Sequence, residues 1–300
     1  MTLTPTRTLI TDAAATGTGI GAFNVIHLET AEALVAAAEN AGLPVILQIS
    51  ENCVNYHGAL APISLATLAI AQASSVPVAV HLDHAEDEQL AYAAIDLGFG
   101  SVMYDGAHLE YAENVAITAR VAERAHAAGV FIEAELGKVG GKDGAHAPGV
   151  RTDPTEAVSF VQATGVDALA VAVGSSHAMT ERSASLDTAL IAELHAALSV
   201  PLVLHGSSGA SDEQIQAAIR AGMTKINVST HLNSHFTAAV REQLSKNPAV
   251  VDSRKYIAPG RAAITTEAAR LLELFALRPA TVGTAQAPAS ASGAQEGTVP

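Results

Sequence analysis

The sequence predicts a closed (β/α)8 barrel, and three observations carry that prediction. Short apolar runs rich in Val, Ile and Ala recur eight times, a helix-like segment follows each, and reactive polar side chains gather at the C-terminal ends of the runs. The runs cover 20–25, 45–49, 78–81, 101–104, 130–135, 168–173, 202–205 and 225–228. Runs of this length and composition read as strands buried on both faces. Amphipathic stretches at 29–40, 87–97, 112–128 and 212–221 read as the helices that cover them. Pro44, Pro77 and Pro201 each stand just before a run, where a helix must stop and a missing amide donor costs little. A doubly wound sheet would alternate in the same way, but it calls for a glycine-rich phosphate fingerprint after the first strand, and GAFNVIHLE carries none. A single barrel of roughly 250 residues fits the chain. Residues 1–278 are therefore expected to form one domain, and 279–300, small, polar and proline-containing, a disordered tail.

Composition narrows the function classes. Hydrophobic residues make up 49% of the chain, enough for a large core, and the formal net charge of -14 sets the surface against nucleic acid and anionic membranes. Neither is expected as a partner, and an anionic substrate would have to be attracted locally. Cys53 is the only cysteine, so no internal disulfide can form, and MTLTPTRTLI lacks a signal-peptide pattern. No apolar stretch approaches the ~20 residues of a membrane span. The cytoplasm is the expected compartment.

The C-terminal ends of barrel strands are where such enzymes place their chemistry. His81, Asp83 and His84 end the third run, Asp105 the fourth, Glu133 and Glu135 the fifth. His177 follows the sixth, His205 ends the seventh, and Asn227, Val228, Ser229 and Thr230 close the eighth. A lone His after a strand is usually a hydrogen-bonded loop residue; several converging on one barrel axis beside carboxylates point to a metal. Three neutral imidazoles with an open position suit catalytic zinc, which makes His84, His177 and His205 the candidate ligands. His81 shares the parity of Asp83 and is expected to be a buried strand residue. Alternation places Asp83 and His84 on opposite faces of a continuing strand, so both reach the site only if the strand ends near Asp83. HGSSGASDE offers the backbone and hydroxyls of Gly206, Ser207 and Ser208 to an oxyanion, and KINVST offers Asn227, Ser229 and Thr230 opposite. GSSG alone would be only a flexible turn. Together the two segments occupy the customary phosphate site of this fold.

With GAFNVIHLE, PVAVHLDHAED, GFGSVMYDGAHLEYAENV, IEAELGKVGG, VDALAVAVGSSHA, PLVLHGSSGASDE and AGMTKINVST in order, the chain resembles the class II, zinc-dependent ketose-bisphosphate aldolases from about Gly21 to Arg261. The resemblance implies that Asp83 carries the catalytic proton and that His84, His177 and His205 bind zinc. It also implies a further divalent or monovalent cation position at Asp105 and Glu135. Asn24, Gly206, Ser207, Ser208 and the group Asn227, Val228, Ser229, Thr230 would hold dihydroxyacetone phosphate. The implied reaction is reversible cleavage of a ketose 1,6-bisphosphate, with fructose 1,6-bisphosphate favoured over tagatose bisphosphate or another phospho-sugar, through a zinc-stabilised enediolate. A homo-oligomer, dimer or tetramer, is also implied.

The chain departs from that pattern at Ala178, where Gly is usual, at His27, where Asn is usual, and at Lys142, where a carboxylate is usual. Within GGKDGAHAPG, Asp143 is the expected replacement proton carrier, with His146 as substitute. Arg254 or Arg261 is expected to meet the distal phosphate. The rival readings are a Schiff-base aldolase using Lys225, expected to lie on the opposite, stability face of the barrel, a zinc hydrolase, and a non-catalytic phosphate-binding barrel.

Overall fold

The computed structural model describes residues 3–136, 151–175 and 184–278. Eight parallel strands close into a barrel in sequence order: β1 (Ile20–Asn24), β2 (Val45–Ser50), β3 (Val78–Ala85), β4 (Ser101–Tyr104), β5 (Phe131–Leu136), β6 (Ala168–Val171), β7 (Leu202–Leu204) and β8 (Met223–Val228). β8 pairs back onto β1 through Ala22 and Asn227, so no sheet edge is left open. The tail, 279–300, lies outside the described residues.

Side-chain alternation separates two cores. Odd-numbered residues of β2 (Val45, Leu47, Ile49) point outward and pack against the surrounding helices, which include α2 (Leu28–Ala41), α4 (Leu60–Ala73), α5 (Glu88–Asp96), α6 (Tyr111–Ala127), α7 (Pro154–Thr164), α8 (Thr188–Ala197) and α9 (Asp212–Ala221). Even-numbered Ile46 joins Ile20, Ala22, Ala79, Phe131, Ala168 and Val203 inside the barrel. This inner cluster includes Leu9, Ile10 and Ala13 of α1 (Thr6–Thr16), so the N-terminal helix plugs one end. Further along the same strands the interior becomes polar, through Gln48, His81, Glu133 and Lys225. One end is sealed by hydrocarbon and the other is left for chemistry.

Helix ends follow their local chemistry. Asp87, Asp153, Asp187 and Ser211 each accept a hydrogen bond from a first-turn amide, capping α5, α7, α8 and α9. Elements whose ranges the sequence reading does not place include α1, the short α3 (Glu51–His57) after β2, α4, α7, α8, and the closing pair α10 (Thr230–Lys246) and α11 (Arg254–Phe275). α11 carries Pro259 in its interior, a residue that argues against helix on propensity, but its apolar face, including Ile264, Leu271 and Phe275, is buried. No single described helix is long and apolar enough to cross a membrane.

Candidate active site

β3 supplies the centre of the site by breaking its own alternation. It runs past Asp83 to Ala85, but His84 has φ 51° and the pairing with β4 shifts register between Leu82 and Ala85. The left-handed residue acts as a bulge that re-aims the side chain. Asp83 and His84 therefore both face the cavity, although the strand does not end where the sequence reading required. A left-handed conformation is costly for a non-glycine residue, and strain of this kind is concentrated at functional sites.

Asp83 is buried and accepts three amide hydrogen bonds. Asn24 donates at 3.2 Å and Gln48 at 3.3 Å to Oδ2, and Asn227 donates at 3.2 Å to Oδ1. Burial opposes its ionisation, yet His84, Lys225, His205 and His81 together hold the carboxyl below its ordinary range. The result is an oriented carboxylate on the wall of a cavity of about 230 Å³, also lined by Asn24, Gln48, Ser50, Asn52 and His84. Gln48, Ser50 and Asn52 were not singled out in the sequence. Gln48 had a readable signal, being the one polar side chain within the apolar run VILQI and the register partner of Asn24.

Two potential metal-binding groups share His84. One joins it to Asp83 and His205, the other to Asp105 and Glu135, with the donor atoms of each group within 4.8 Å of one another. Asp105 Oδ2 lies 2.7 Å from His84 Nδ1, which leaves Nε2 as the ring's second donor position. His205 is fully buried between Glu135, 3.0 Å from Nδ1, and Glu133, 3.1 Å from Nε2. Burial disfavours its charged form, but these two carboxylates push its pKa up to about 10. Asp83, Asp105, Glu133 and Glu135 are thus four buried carboxylates, set against Lys225 and a His205 that holds its extra proton only while both ring nitrogens face carboxylates; a metal ion would take the place of that proton. That excess of negative charge, together with imidazole donors, is the environment a divalent cation requires. His177, Asp143 and His146 lie outside the described residues, as do Ala178 and Lys142.

His81 is buried, as expected. Its Nδ1 lies 2.8 Å from Ser101 Oγ, and burial, with Lys225 beside it, lowers its pKa to about 3, so the ring is neutral. Lys225 is placed differently from the sequence reading. β8 begins two residues earlier than expected, at Met223, and Lys225 points into the barrel interior, where Nζ lies 2.8 Å from Glu133. It is not on the stability face, but it does not line the cavity either. It neutralises Glu133, which in turn bonds His205. Lys225→Met is expected to cost about 3 kcal/mol in urea unfolding, because it removes the ammonium from Glu133 Oε2 and leaves this buried carboxylate with His205 alone on Oε1. A cost below about 1 kcal/mol would show that Glu133 finds another partner.

The second half of the cavity is formed by a tight turn and a helix start. Gly206, with φ 64°, opens a tight turn at Ser207–Gly209, and Ser207 Oγ donates to the Asn227 carbonyl, joining the two segments. Gly206, Ser207, Ser208, Asn227, Ser229 and Thr230 all line the cavity, and α10 starts at Thr230 with its N-terminal end there, the His231 amide donating to Ser208 Oγ. Val228 does not line it; by alternation its side chain turns outward into the helix-facing core. Gln48 Oε1 and Asn227 Oδ1, on residues that line the cavity, are buried with no hydrogen-bond partner among the described residues, positions a polar ligand would satisfy. Arg254 pairs with Asp252 at 2.9 Å and Arg261 with Glu32 at 2.6 Å, and neither lines the cavity.

Fold and site together define a barrel with a buried, oriented carboxylate, groups that could hold a metal ion and a Gly-Ser turn, all at one end of the strands. The comparisons with known proteins name the class. The profile of the class II fructose-bisphosphate aldolases matches residues 4–278, and the chain belongs to that family. It is 43% identical over 268 residues to a fructose-bisphosphate aldolase of Geobacillus stearothermophilus, covering 88% of this chain and 93% of that protein. It is 39% identical over 294 residues to one of Thermus caldophilus, covering 89% and 96%. The crystal structure of the YdjI aldolase of Escherichia coli K12 superposes with a TM-score of 0.78 at 31% identity, covering 91% of this chain and 97% of that one. The family is zinc-dependent and acts on phosphorylated sugars.

Proposed function

We propose that the chain cleaves fructose 1,6-bisphosphate reversibly to dihydroxyacetone phosphate and glyceraldehyde 3-phosphate. The observation that carries this reading is the position of Asp83, ionised and held by three amides, in one cavity with the turn at Ser207–Gly209 and the start of α10. Asn24, Gly206, Ser207, Ser208, Asn227, Ser229 and Thr230 would seat the phosphate and hydroxyls of the dihydroxyacetone half. Asp83 takes the proton from the C4 hydroxyl as the C3–C4 bond breaks and returns it in the reverse direction. His84, His177 and His205 would hold zinc, with Asp105 and Glu135 serving a further cation position. When bound, zinc supplies Lewis-acid stabilisation of the charge that develops on the substrate oxygens.

Carbon protonation of the dihydroxyacetone phosphate fragment is assigned to Asp143, with His146 as substitute, since Lys142 is a poor proton carrier near neutral pH. The reading further includes a cytoplasmic homo-oligomer. The test is cleavage of fructose and tagatose bisphosphates by zinc-loaded protein, with faster turnover of the fructose ester expected. Preference for tagatose bisphosphate would move the substrate assignment, and cleavage of neither would overturn it. With the same preparation, Asp143→Asn should slow solvent proton exchange into dihydroxyacetone phosphate; loss only in His146→Ala would transfer the role to the histidine.

A further inference from the structure

We infer that His231 and His235 of α10, with Glu267 of α11, form a second site for a divalent transition metal, separate from the catalytic centre. The two histidines stand four residues apart on one helix, so they share a face, and their ring centroids are 4.8 Å apart. Glu267 reaches across from α11, and the three donor atoms lie within 4.8 Å of one another. Two imidazoles and one carboxylate form a donor set suited to zinc or its neighbours rather than to magnesium or calcium, which prefer oxygen.

A plain ion-pair network explains part of this arrangement. His231 Nε2 lies 2.7 Å from Glu267 Oε1, and Arg270 donates to Glu267 from Nε at 2.9 Å and to Asp212 from Nη1 at 2.5 Å. That network ties α9, α10 and α11 together without His235. Among the described residues no hydrogen bond to the His235 ring is present, although it stacks edge-on against His231. Two carboxylates, Glu267 and Asp212, face one guanidinium, which leaves net negative charge for a cation. Glu267 Oε1 already accepts from Arg270 Nη2 at 2.6 Å, and an ion between it and the two rings would share that oxygen, while the Arg270 Nε bond to Oε2 holds the carboxylate as an outer partner of a ligand does. Both histidines are partly exposed, so an ion can enter from solvent. The His231 amide also donates to Ser208 Oγ at 3.2 Å, so an ion here would pin the first turn of α10 beside the anion-binding turn.

The test compares full-length protein with His235→Ala, both stripped by chelator and dialysed to equilibrium against zinc. Wild type is expected to retain about one zinc ion more per chain than the variant. Its melting temperature should continue to rise with zinc after catalytic activity has saturated, whereas that of the variant should not. Aldol cleavage should be equal in the two, because His235 lies outside the cavity. Equal zinc content in both proteins overturns the site, as does a loss of zinc in the variant matched by an equal loss of turnover, which would place the missing ion in the catalytic centre.

Discussion

Asp83→Asn is expected to lower aldol cleavage by about 10²- to 10⁴-fold, the cost of removing a positioned general base, while metal content and substrate binding stay near those of the parent. The substitution preserves shape, and its amide oxygen can still accept hydrogen bonds from Asn24 and Gln48, while its amide nitrogen takes the Oδ1 position and loses the bond from Asn227. What it removes is the ability to take a proton. Because the same carboxylate serves both directions, condensation should fall with cleavage. Turnover measured at saturating substrate, with zinc content determined on the same sample, separates this from a binding defect. A fall of less than about tenfold with full metal content would show that another group carries the proton.

The site was more legible in the sequence than the means by which the fold assembles it. Buried strands and their order could be read because apolar runs bounded by Pro and Gly carry that signal locally. Asp83, Asp105, Glu135 and His205 could be read because strand ends in a barrel converge whatever the details of the loops. The positive φ of His84 was not legible, since its cause is a shift in pairing between β3 and β4, a non-local property that no residue in HLDHA announces. The inward placement of Lys225 was missed for a related reason: the start of β8 was set two residues late, at a lysine that looks like a surface residue until Glu133 is placed opposite it. α1 was missed because its Leu9, Ile10 and Ala13 face the barrel end, a burial that comes from closure of the barrel.

Chelation is expected to reduce cleavage to near background, and added zinc or cobalt to restore it. Asp83, Asp105, Glu133 and Glu135 are buried around His84 and His205, and Lys225 is already committed to Glu133 at 2.8 Å. A divalent ion taking the place of the His205 proton would add positive charge among these carboxylates, and chemistry that builds negative charge on the substrate draws on it. The same ion is a stabiliser: at free zinc about a thousandfold above its Kd, binding adds about 4 kcal/mol to folding, so stripped protein should melt at a lower temperature. Activity and melting temperature should return together as the catalytic site fills. Full turnover in stripped protein would remove zinc from the mechanism. Inactivation by borohydride only when substrate is present would point to a lysine adduct, which would require Lys225 to leave Glu133 and reach a cavity it does not line.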